Sequence, residues 1–124
     1  MTAPSLWRRI RNTLTNPRRK RAGAIDVTGE KFAFRLNKRE AQMRWSDVTR
    51  IDAGMRDYLG FDGFYVDIFA GNEKVELDEL DDGFRQFETT LFDRWPQIRS
   101  RWIELLGSTP HQPQHETLWR RDAS

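Results

Sequence analysis

Along the middle of the chain, from Gln42 to Glu79, apolar and polar residues alternate, and at Asp82-Gly83 that period of two gives way to a period near 3.6. Nothing else in the sequence constrains the fold as much, because alternation buries one face of a strand whereas a 3.6-residue stripe buries one face of a helix. Alternation begins upstream, at Ile25 and Val27, and after a turn at Gly29-Glu30 it continues through Phe32, Phe34 and Leu36. Asn37 to Glu40 reads as a polar connection. Met43 and Trp45 resume the pattern, Ser46-Asp47 breaks it, and Val48 to Arg56 carries it on. A loop with two glycines, Asp57 to Gly63, leads to a strand with Phe64, Val66 and Ile68 on one face and Tyr65, Asp67 and Phe69 on the other. Gly71-Asn72 suits the positive φ angles of a tight hairpin, and Val75 and Leu77 follow. The expectation is an α+β fold: an antiparallel curled sheet or barrel of about six to seven strands, not a βαβ unit.

The helical stripe is Phe84, Phe87, Leu91, Phe92 and Trp95, with Asp81 or Asp82 placed to cap its start. Pro96 either kinks this helix or opens a second one at its first position. Ile98, Trp102, Leu105 and Leu106 extend the apolar face to a natural stop at Gly107. Phe87 and Trp95 are expected to be buried against the sheet.

At 124 residues the chain suits one domain, here residues 23–107. It is flanked by a basic amphipathic arm, 1–22, and an irregular tail, 108–124. Without cysteine, disulfides and thiolate chemistry are excluded. The aromatic content of 12% is too high for a disordered chain, although charged residues reach 32%. The net charge of +2 conceals a basic arm on an acidic body: residues 1–23 hold seven basic side chains and no acid, leaving 14 basic against 19 acidic in the remainder. Six acids crowd Glu73 to Asp82, which reads as a solvated hairpin edge. In the arm, Leu6, Ile10 and Leu14 with Trp7 make one face of a short helix, and Arg8, Arg9 and Arg11 make the other. No apolar run is long enough for a signal peptide or a membrane span, so a cytoplasmic location is expected.

The run Trp45-Ser46-Asp47-Val48, with Ile51 three residues on, resembles bacterial domains of the pleckstrin-homology-like class. In these domains such a strand precedes further antiparallel strands and a C-terminal helix. Gly83-Phe84, Trp95-Pro96 and Trp102 stand where small uncharacterised bacterial proteins of this kind carry a Phe-rich helix, a Pro and a downstream Trp. The resemblance spans roughly residues 24–107 and implies a noncatalytic barrel plugged at one end by the helix. Phosphoinositide-binding members use a basic cluster in the first hairpin. Here Gly29-Glu30-Lys31 offers a single Lys, so headgroup recognition by the barrel is not expected.

No catalytic, cofactor or metal motif emerges. His111 and His115 have a helical metal spacing, but Pro110 and Pro113 oppose a helix there, so both read as solvent-exposed tail residues. Asp52, Asp57, Asp62 and Asp67 recur every five residues without matching a calcium loop, and read as solvated faces. G-x-S-x-G and the Gly-rich phosphate cradles are absent. The loop around Gly60 and Gly63 places Tyr58, Leu59, Phe61 and Phe64 together, either folded over the sheet or exposed for a partner. Tyr58, Leu59 and Phe61 are the candidate protein-binding residues. Leu6, Trp7, Arg8, Arg9, Ile10 and Arg11 are the candidate contacts to an anionic membrane surface, the other reading being that the arm packs on the domain and covers an edge or open end of the barrel. The acidic body argues against nucleic acid. The expected function is a noncatalytic module that binds another protein, in an adaptor or immunity-type role. The alternative is a peripheral module at the inner face of the membrane, held by the arm.

Overall fold

The computed structural model describes residues 23–57, 62–107 and 114–122. The basic arm and its expected helix lie outside these residues. The described chain is α+β, with two antiparallel sheets and two α-helices. Strands β1 (Gly23–Val27), β2 (Lys31–Leu36) and β3 (Arg39–Arg44) form one sheet in that order. The second sheet has the order β6-β5-β4-β7, from β4 (Arg50–Asp57), β5 (Asp62–Ala70), β6 (Glu73–Asp78) and β7 (Gln114–Arg120).

The sheets do not close into a barrel, and the reason lies at Trp45. Its indole is buried and donates from Nε1 to the Thr28 carbonyl at 3.1 Å. The chain there makes a 3₁₀ turn, Trp45–Asp47, after which the Thr49 N–H donates to the Phe69 carbonyl. β4 therefore starts beside β5, and the consecutive strands β3 and β4 belong to different sheets. Within the sheets the hairpins are tight. Asn37 takes φ 59° between β2 and β3, so the expected polar connection shrinks to Asn37-Lys38. Of Gly71-Asn72, only Gly71 has positive φ.

Helix α1 (Phe84–Arg94) buries Phe84, Phe87 and Leu91, while Phe92 and Trp95 are only partly buried. Phe87 matches the expectation, and Trp95 corrects it. Trp95 precedes Pro96 and leaves helical geometry at φ −131°, ψ 68°, the restriction that proline places on its predecessor. A 3₁₀ turn, Pro96–Ile98, then starts α2 (Arg99–Leu106), which buries Trp102, Leu105 and Leu106. The helices share one core with both sheets. Phe32 and Phe87 are 5.2 Å apart between ring centroids, Phe64 and Trp102 5.0 Å, and Trp95 and Trp119 5.2 Å.

Gly83, not Asp81 or Asp82, occupies the N-cap, at φ 84°. The acidic stretch before it is not uniformly solvated. Asp78, Glu79 and Asp81 are buried and accept backbone N–H groups. Asp81 takes those of Gly23 (3.0 Å) and Asp78 (2.8 Å), Asp78 that of Leu80 (3.0 Å), and Glu79 that of Phe64 (3.1 Å). Asp81 thereby ties the start of β1 to the end of β6, beside a parallel bridge between Ala24 and Asp82. The expected irregular tail contains β7, which pairs with β4 and places Leu118 and Trp119 against the core. Among the described residues no helix is long and apolar enough to cross a membrane.

Candidate functional site

Tyr58, Leu59 and Phe61 lie outside the described residues, as do Leu6, Trp7, Arg8, Arg9, Ile10 and Arg11 and the tail residue His111. Phe64, grouped with that loop by sequence, is a core residue with no exposed surface. Asp57 and Asp62 pair through their backbones at the end of the β4–β5 hairpin. The other two acids of that five-residue series, Asp52 and Asp67, are not solvated. They are 1% and 5% exposed and stand directly opposite each other across β4 and β5, and Asp67 stands opposite Glu76 of β6. Three carboxylates thus cross three strands in one row on the sheet face turned from the core. Like charges so placed are destabilising unless compensated.

The compensation is local and uneven. Asp52 meets Arg50 Nε at 3.1 Å and accepts from His115 Nε2 at 2.8 Å. Glu76 receives a two-pronged bond from Arg56, both contacts 2.7 Å. Asp67 has no such partner among the described residues: its Oδ1 is buried without a hydrogen bond, and burial, more than the neighbouring charges, pushes its carboxyl above the usual value.

β7 brings His115 onto this face: it is solvent-exposed, as expected, but it stands in a paired strand rather than an irregular tail. The Asp52 carboxylate accepts from Nε2–H, which leaves the Nδ1 lone pair to accept the Tyr65 O–H at 2.7 Å. The imidazole also stacks on the Tyr65 ring at 5.8 Å, and the Arg56 guanidinium covers that ring at 3.9 Å. Gly54 lies between them in register, and a Cβ there would collide with the Tyr65 hydroxyl and the Gln114 carbonyl.

A carboxylate–imidazole–hydroxyl chain has the connectivity that activates nucleophiles. Here burial, ahead of the opposing effect of Arg56, raises the Tyr65 hydroxyl above its ordinary value. The proton stays on the oxygen, and the chain of bonds joins β7 to β4 and β5. Alternation put Tyr65 and Asp67 on one face of their strand, but the register decided that Asp52 shares it, and nothing in the sequence announced the strand that brings His115 to them. Among the described residues no cluster of three His, Asp or Glu side chains is set to hold a metal ion.

A second feature lies where the two sheets fail to join. Among the described residues β3 and β6 each have a neighbour on one side only. Cavities of about 360 and 760 Å³ lie end to end between them. The smaller lies between Arg39 to Ala41 and Lys74 to Glu76, the larger between Gln42 to Arg44 and Ala70 to Glu73. As β3 is followed forward β6 is followed backward, so the two edges run antiparallel across a cleft. Phe34, Leu36 and Val75 reach it from the core side. Sequence reasoning missed this cleft because a strand's alternation does not say whether both of its edges are paired. No family model, curated protein or solved structure matches the chain.

Proposed function

We propose that the chain is a noncatalytic module of pleckstrin-homology-like architecture that binds another protein, in an adaptor or immunity-type role. The observation that carries this reading is the cleft between β3 and β6, whose walls are two strand edges unpaired among the described residues. Unpaired edges are templates for further backbone pairing, and folds that do not use them commonly hide them. The polar cluster around Asp52 supports the noncatalytic part, since its imidazole and hydroxyl satisfy each other within the sheet. The test uses the full chain in cells, with a photo-crosslinking amino acid at Gln42 or Asn72 in the cleft, and at Thr89 on the exposed side of α1 as control. A discrete protein adduct from the cleft positions and none from Thr89 is expected. Equal labelling from all three, or none from the cleft, removes the reading.

A further inference from the structure

Resting on that reading, we propose that the occupant of the cleft is an extended peptide segment carrying a carboxylate, which lies at the end lined by Lys31, Arg44 and Arg121. The shape argues for an extended chain. The cleft follows all six residues of β3, about 20 Å of strand. That is far longer than a small anion, and both long walls are backbone edges with N–H and C=O groups to offer. Its floor is apolar where Phe34, Leu36 and Val75 reach it. An inserted strand would pair antiparallel with one wall and parallel with the other, and would turn alternate side chains toward that floor.

The charge argues for a carboxylate. Lys31, Arg44 and Arg121 are exposed, line the larger cavity and form no ion pair among the described residues. Among the described residues the Lys31 side chain donates only to the neutral Gln42 side chain at 2.8 Å, and the Arg121 side chain only to the Ser46 carbonyl at 2.6 Å. Asp47 and Glu73 line the same cavity, which leaves one cation in excess. At the other end two cations, Arg39 and Lys74, face Glu40 and a Glu76 that is paired with Arg56. The larger cavity gathers three cations against two at the other end, which places the carboxylate there and gives the occupant a direction.

A phage-displayed library of random linear peptides, panned on the full chain, supplies the probe. Enriched peptides are synthesised and measured by fluorescence anisotropy. The expected winners alternate apolar residues and place Asp, Glu or a free C-terminal carboxylate at one end. Their affinity should fall at least about tenfold, the scale of one lost charge-assisted bond, in Arg44→Glu/Arg121→Glu, a surface variant whose melting temperature should match the parent. It should also fall as salt rises. Winners without an acid, or winners insensitive to the charge reversal, overturn the assignment while leaving the module reading to the crosslinking result. An empty selection overturns it as well. So does concentration-dependent dimerisation abolished by the same variant, which would make a second copy of this chain the occupant.

Discussion

Asp67 sits at the centre of the carboxylate row, between Asp52 and Glu76, and is the one member without a bonded cation. Burial raises its carboxyl above the ordinary 3.8 that it has in the unfolded chain. In the interval between those two values the folded state binds the extra proton, so stability falls as pH rises through it, and the penalty is complete once the pH lies above the raised value. Asp67→Asn removes the charge and keeps the shape. It should stabilise the chain at neutral pH by about 1–2 kcal/mol, the scale of an uncompensated buried polar group. The gain should shrink as pH is lowered past the ordinary carboxylate range. Thermal melts of both proteins across that range decide it, and a destabilised variant would mean that Asp67 has an ionic role in the fold. Glu116 on β7 is the contrasting case: hydrogen bonding from Arg101, both contacts 2.6 Å, holds it below its ordinary value.

Two elements depend on contacts far away in sequence. β7 is an edge strand fastened by His115 and by the Glu116–Arg101 pair to α2. His115→Ala leaves the Asp52 carboxylate and the Tyr65 hydroxyl short of a partner, and should cost about 1–3 kcal/mol. Amide exchange should rise first in β7 and β4. Uniform acceleration across both sheets would mean that β7 opens only with the whole molecule. The junction before α1 is stricter. Gly83 has φ 84°, and a Cβ there would run into the Ile25 carbonyl. Gly83→Ala should therefore lower stability by more than the roughly 1 kcal/mol of left-handed strain alone. An unchanged melting temperature would show that the β1 contact yields freely.

At the scale of the molecule, aromatic rings link the two sheets through the helices. Phe87 touches Phe32 and Trp45 of the first sheet's side, and Phe84 stacks on Trp102, which meets Phe64 of the second. Because the sheets share no strand pairing between β3 and β6, this aromatic layer and the Asp78–Asp82 junction carry the union. Phe87→Ala should cost about 3–5 kcal/mol, as for other fully buried Phe truncations. Chemical denaturation should show it as a lower midpoint. A midpoint equal to that of the parent would refute the packing described here. A second, earlier transition in that variant would show that the sheets can part.

Much of this protein was determined by local pattern. Alternation at Phe32-Phe34-Leu36 and Phe64-Val66-Ile68 set which side chains face inward, and the change of period at Gly83 set where the helices begin. Pro96 set the break between them. These follow from the residues themselves, because the period of a side-chain pattern and the φ restriction of proline act within a few positions. Which strands are neighbours was decided by the tertiary structure. Trp45 turns the chain into the core and sends β4 to the second sheet, and β7 finds β4 across more than fifty residues. A short polar segment such as Gln114–Arg120 has little strand signal of its own and is ordered by the edge it meets. The same pairings bury Asp52 and Asp67, which in sequence look like ordinary solvated acids. They also leave β3 and β6 facing each other unpaired. Burial and edge pairing are properties of distant backbones brought together, and no local spacing encodes them.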